Sequence, residues 1–138
     1  MKKVFLGGTC NKSNWRDKLI PMLKINYFNP VVDNRDDEAA KIELQERKNC
    51  DYVLYVITPK MTGVYSIAEV VDDSNKQPEK TILCILGKDS ELTFSESQLK
   101  SLKAVIKMVT LNGAKYCSSL KNVANYLNAN GYDGRNFQ

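Results

Sequence analysis

Between Asp51 and Pro59 the chain runs Tyr52-Val-Leu-Tyr-Val-Ile57, with little alternation of apolar and polar residues. A strand with one wet face alternates, whereas a strand apolar on both sides must be covered on both. That is the condition of a parallel sheet enclosed between helices. The residues that follow agree with this reading. Pro59 and Gly63 break the chain into a loop, and Ser66 with Glu69 three residues on reads as a capped helix start.

The same alternation recurs along the chain. Lys3 to Gly8 reads as a first strand, ending in the turn Gly7-Gly8-Thr9, and Ser13 is positioned to cap a helix from about Asn14 to Leu23 that Pro21 distorts or closes. Tyr27 to Val32 reads as a second strand interrupted at Asn29-Pro30, and residues 36–49 as an exposed, highly charged helix. Thr81 to Leu86 is a further strand closed by Gly87. Ser95-Glu-Ser-Gln98 is a capping box opening a helix with Leu99, Leu102, Val105, Ile106 and Val109 at helical spacing, and Gly113 ends it. Ala114 to Cys117 is a short last strand, and Ser118 or Ser119 caps a final helix toward Asn130. The pattern predicts one α/β domain over residues 1–138, three layers deep, with a parallel sheet of about five strands.

What the chain lacks narrows the chemistry. It contains no histidine, which removes Ser-His-Asp triads, Cys-His dyads and nearly all zinc-enzyme sites. The four cysteines, Cys10, Cys50, Cys84 and Cys117, form no Cys-x-x-Cys pair, and only Cys10 falls in a loop near the expected crevice. Catalysis would then belong to carboxylates, with no metal and no cofactor expected. The net charge of +4 comes from scattered lysines, so no nucleic acid polymer is expected as a partner. The apolar run after Met-Lys-Lys is too short for a signal peptide and no segment is long enough to span a bilayer, so the expected location is cytoplasmic, without membrane association.

In an open α/β sheet, ligands bind beyond the carboxyl ends of the strands. Glu69 falls there, in the first turn of a helix, where the helix dipole and free backbone N–H groups would keep a carboxylate ionised. It is a candidate nucleophile, although a capping-box glutamate that only stabilises its helix has the same spacing. Gly8 lets the backbone approach a ligand, and Thr9 and Asn11 offer hydrogen bonds from the first loop. Trp15 could stack on a base or pack in the core, and Ser13 and Arg16 could hold a phosphate or serve as cap and surface charge. Asn29, at the end of the second strand, and Tyr65 and Ser66, beside Glu69, complete the candidate substrate contacts.

Residues 4–17 (Val-Phe-Leu-Gly-Gly-Thr-Cys-Asn-Lys-Ser-Asn-Trp-Arg-Asp), Tyr27-Phe-Asn-Pro-Val-Val32, Cys50-Asp51 with its strand, Tyr65-Ser-Ile-Ala-Glu69 and the stretch from Phe94 to Leu127 together resemble the nucleoside 2-deoxyribosyltransferase-like family. The resemblance covers nearly the whole chain, in order. It implies a flavodoxin-like fold and cleavage of the N-glycosidic bond of a 2-deoxyribonucleoside or its 5′-monophosphate. Base exchange or hydrolysis would proceed through a covalent glycosyl-enzyme ester, and Glu69 matches the catalytic glutamate. A second group must assist the departing base; Asp51 is the positional candidate, though it begins its strand and could equally be a turn residue. Typical relatives carry an aspartate six residues before the glutamate, where this chain has Gly63. They also complete their sites from a neighbouring subunit, which implies a homo-oligomer and a possible role for the tail Asn125–Gln138. The Gly63 departure motivates an alternative, a nucleotide-binding module without catalysis. A glycohydrolase acting on NAD or a related nucleotide is a further alternative, supported by fold analogy alone.

Overall fold

The computed structural model describes residues 1–10 and 12–134, and the expectations for Asn11 and for the tail beyond Gly134 lie outside them. Five parallel strands form the main sheet: β1 (Lys3–Gly8), β2 (Asn26–Phe28), β3 (Tyr52–Ile57), β4 (Thr81–Ile85) and, last in the chain, β7 (Lys115–Cys117). Their order is β2-β1-β3-β4-β7. β3 is central and all six of its residues are buried, as its unbroken apolar run requires. Parity then divides the core. Val4, Leu6, Tyr52, Leu54 and Val56 face α1 (Trp15–Leu19) and α5 (Leu120–Gly131), meeting Trp15, Leu19, Val123 and Leu127. Phe5, Val53, Tyr55 and Ile57 face the other way, toward α3 (Tyr65–Lys76) and α4 (Glu96–Leu111), where Val70, Leu102 and Val109 complete the second core. The result is the three-layer flavodoxin-like arrangement that the sequence predicts. Among the described residues no helix is long and apolar enough to cross a membrane.

Several local expectations are corrected. The first helix is only Trp15–Leu19; Pro21 turns the next residues, Ile20–Met22, into a 3-10 turn. Its N-cap is Asn14, because the Ser13 hydroxyl donates instead to Asp89, 2.5 Å away. β2 stops at Phe28, before Asn29-Pro30, and leaves Val31 and Val32 outside the sheet. The expected capping box at Ser66–Glu69 does not form. α3 enters helical hydrogen bonding earlier, with the Ile67 N–H donating to the Val64 carbonyl at 3.0 Å, so Ser66 lies inside the first turn and Glu69 beyond it. The same pattern does form at α4, where Ser95 and Gln98 bond each other's backbone N–H at 3.1 and 2.8 Å.

One element has no counterpart in the sequence reading. After β4, the two-residue strands β5 (Lys88–Asp89) and β6 (Leu92–Thr93) pair antiparallel around Ser90 at φ 56°. Strands this short carry no readable period. The remaining helix, α2 (Asp37–Asn49), is capped by Asp36, whose carboxylate accepts from the Ala39 N–H at 2.8 Å, and none of its residues is buried.

Candidate active site

The chain leaves β1 toward one face of the sheet and β3 toward the other, which opens a crevice beyond their carboxyl ends. A cavity of about 390 Å³ lies there. Its floor is the end of β1. Gly8 has φ 112°, and a Cβ on it would stand 2.1 Å from the Val56 carbonyl oxygen, so only glycine lets β1 run this close to β3 before turning away. The Thr9 N–H then closes the turn onto the same carbonyl at 2.8 Å. Thr9 itself is buried; its hydroxyl oxygen accepts from the Thr58 N–H at 3.0 Å, and the Thr58 hydroxyl donates to Asp89 at 2.7 Å. Two hydroxyl bonds, from Ser13 and Thr58, together with Lys60 3.8 Å away, overcome the cost of burial and hold the Asp89 carboxyl below its ordinary pKa. The hairpin thus ties down both loops that border the cavity.

Glu69 lines the cavity with its side chain only 19% exposed. Burial raises its pKa above the ordinary carboxylate value; Arg47 opposes the rise, and Glu43 and Asp73 add to it. The expectation of a carboxylate kept acidic by a helix N-terminus is therefore corrected: Glu69 is past the free N–H groups of α3 and is less acidic than usual. Its ion-pair partner is Arg47 of α2, whose Nη1 stands 3.5 Å from Glu69 Oε2. The rest of the Arg47 fork is anchored. Nε donates to Tyr55 Oη at 2.9 Å and to Asp73 Oδ2 at 3.1 Å, and Nη2 donates to Asp73 Oδ1 at 3.0 Å. The Tyr55 hydroxyl donates to Asp73 as well. Burial works against the Arg47 charge, but Tyr55 and the Asp73 carboxylate outweigh it and hold the guanidinium more firmly protonated than usual.

A second carboxylate reaches the same cavity. Glu43 of α2 lines it, paired with Arg35 from the segment before that helix. Neither these two residues nor Arg47 and Asp89 stood out in the sequence. In α2 charges occur on every side, and only the Glu43-to-Arg47 spacing, one helical turn, could have hinted at a shared face.

The structure scatters some of the expected contacts. Asp51 is at the amino end of β3, at the opposite end of the strands from the cavity, where its carboxylate accepts from the Lys3 N–H at 2.8 Å; it does not line the cavity. Trp15 is 1% exposed and packs in the core, its indole N–H donating to the Thr9 carbonyl at 2.7 Å. Arg16 does line the cavity, stacked 4.3 Å over the Trp15 ring, with Nε and Nη1 donating to the Leu6 and Thr9 carbonyls at 3.0 and 2.9 Å. Burial lowers its pKa to about 10. The Asn29 side chain turns back to accept from the Val31 N–H at 3.1 Å and is not a lining residue, although Pro30 and Val31 are. Gly7, Gly8, Thr9, Cys10, Tyr65 and Ser66 all border the cavity, Tyr65 at its exposed rim. Gly63 borders it too, with nothing within 4 Å of where its Cβ would be.

The family model described as nucleoside 2-deoxyribosyltransferase like matches residues 1–87, a segment that holds every residue lining this cavity. No curated protein matches the chain. With 87 of 138 residues matched, across the sheet's first four strands and the whole cavity, the chain belongs to the nucleoside 2-deoxyribosyltransferase-like family.

Proposed function

We propose that the chain cleaves the N-glycosidic bond of a 2-deoxyribonucleoside or its 5′-monophosphate, with Glu69 as nucleophile. The observation that carries this reading is the convergence of Glu69 from α3 and Glu43 from α2 on one cavity at the switch point of the sheet. The reaction needs two such groups. As the bond from C1′ to the base breaks, positive charge grows on the sugar, and an ionised carboxylate facing C1′ stabilises it and then captures it as an ester. The electron pair leaves with the base, which needs a proton or a hydrogen bond from a second group. Glu43 is better placed for that than Asp51, because it shares the cavity with Glu69. Water attacking the ester gives hydrolysis, and a second base gives exchange.

Arg16 and Arg35 favour the 5′-monophosphate over the nucleoside. Both line the cavity, and among the described residues the hydrogen bonds of Arg16 all go to main-chain carbonyls rather than to a carboxylate. Glu43 acts on this guanidinium only from beyond ion-pair distance, and an anionic substrate would be its direct charge partner. The exposed Val31, Val32 and Tyr65 at the rim suit a homo-oligomer in which a neighbouring subunit closes the mouth.

Gly63 favours a second reading, a module that binds a nucleotide without cleaving it, because the position open to a further carboxylate has none. Incubation with a panel of deoxynucleosides and their 5′-monophosphates, with and without a second free base, separates the two. Base release or exchange by the wild type and not by Glu69→Gln supports the enzyme. Tight binding of an intact nucleotide without turnover supports the module.

A further inference from the structure

Helix α2 supplies Glu43 to the cavity, yet none of its own residues is fully buried, so no core side chain of the helix sets its distance from α3. Among the described residues, the polar contacts from α2 to α3 all run through Arg47, which meets Glu69, Asp72 and Asp73. The guanidinium is divided between two tasks. Nε and Nη2 are locked in a two-toothed bond to Asp73, supported by the Tyr55 hydroxyl from β3, and Nη1 is left pointing to one oxygen of Glu69. Arginine alone can do this, because its planar fork fixes the third nitrogen once the other two are held. Glu43 is one turn before Arg47 on the same face of α2, so whatever seats Arg47 also seats Glu43.

We propose that Arg47 is a positioning residue for the Glu43–Glu69 pair: anchored by Asp73 and Tyr55, it docks α2 on α3 and holds one oxygen of Glu69. This rests on reading Glu69 as the reacting carboxylate, although the geometry itself does not depend on that reading. Captured by Nη1, Glu69 keeps its second oxygen for C1′. Arg47 also stabilises the ionised form against the groups that disfavour it. Facing or flanking Glu69 are Glu43 and Arg47 from α2, Arg35 from the segment before it, Asp72 and Asp73 from α3 itself, and Tyr55 from β3. Arg16 and Tyr65 share the cavity.

The test is to titrate the Glu69 side-chain carboxyl by carbon NMR in the full chain, its signal assigned by its loss in Glu69→Gln, for wild type, Arg47→Met and Arg47→Lys. In Arg47→Met the midpoint should rise by about one pH unit or more, the usual effect of removing an adjacent guanidinium. Arg47→Lys should lie between, because an ammonium restores charge but cannot span both Asp73 oxygens and still reach Glu69. The acid limb of kcat/KM should move by the same amount, with KM changed less than kcat. A folded Arg47→Met with an unmoved Glu69 midpoint overturns the proposal, since loss of a purely structural contact would lower stability and leave that midpoint alone. Should Arg47→Met fail to fold, a wild-type midpoint in Arg47→Lys overturns it equally. If wild type releases no base from any substrate, the catalytic reading fails, while the titration still decides the role of Arg47.

Discussion

Replacing Gly8 with alanine should cost far more than the same change at Gly7 or Gly63, although all three border the cavity. At Gly8 the backbone has φ 112°, a region closed to side chains, and holding alanine there costs about 1–3 kcal/mol. The added Cβ would also stand 2.1 Å from the Val56 oxygen and 2.5 Å from the Val56 nitrogen. Both are main-chain atoms of the central strand, so no side chain can swing aside, and relieving the clash costs about another 1–3 kcal/mol. Parting the strands also stretches the 2.8 Å bond from the Thr9 N–H to Val56, a loss of about 1 kcal/mol. The sum is roughly 3–7 kcal/mol, a large share of the stability of a domain of this size. At about 4 °C per kcal/mol the Tm should fall by about 12–28 °C. At Gly7 the nearest atom is the Leu54 oxygen at 3.1 Å, and alanine there should cost about 1 kcal/mol. At Gly63 the Cβ meets open space and the change should stay within about 0.5 kcal/mol. Urea denaturation and calorimetry of the three variants read this order directly. A Gly8→Ala protein within about 1 kcal/mol of wild type would refute the argument that close approach of β1 to β3 dictates this residue.

Other outcomes follow from single contacts. Ser95→Ala should destabilise by about 1 kcal/mol in denaturation, since it opens a formed capping box, whereas Ser66→Ala should be neutral within about 0.5 kcal/mol because Ser66 caps nothing. Glu69 binds its proton more tightly in the folded state than in the unfolded one, so its contribution to stability is greatest at low pH and declines as pH rises through its raised pKa. Glu69→Gln, which mimics the protonated form, should therefore gain stability relative to wild type at pH 7, and the gain should vanish below the usual carboxylate range. Paired melts at the two pH values check the sign. Gly63→Asp restores a carboxylate at an open position on the cavity rim; it should fold as wild type and raise the rate of base release, measured by chromatography.

The β3 run disclosed the sheet because six consecutive apolar residues admit few other environments. The helix start at Ser95 was readable because its capping box is complete, whereas Asp36 read only as the start of a charged run and Ser119 as one of two candidates with Ser118. Where a short motif could be satisfied in two ways, tertiary structure chose. Ser13 gave up its helix to bond Asp89, a residue 76 positions away, and Ser66 lost its cap to an earlier helix start. Glu69 and the Gly7-Gly8-Thr9 turn could be placed because they follow strands directly in the chain. Glu43 and Arg47 could not, since their meeting with Glu69 depends on how an exposed helix docks, and no local pattern encodes that. Asp51 illustrates the converse. It is next to the key strand in sequence but at its wrong end, because a six-residue strand carries the chain across the whole sheet.

The most direct measurement is a rapid quench of wild type with a deoxynucleoside 5′-monophosphate, followed by digestion and mass spectrometry of the peptide containing Glu69. A 2-deoxyribose 5-phosphate unit joined through C1′ to the Glu69 carboxylate should form as base is released and be absent from Glu69→Gln. Base release without that adduct, or an adduct on any other residue, would contradict it.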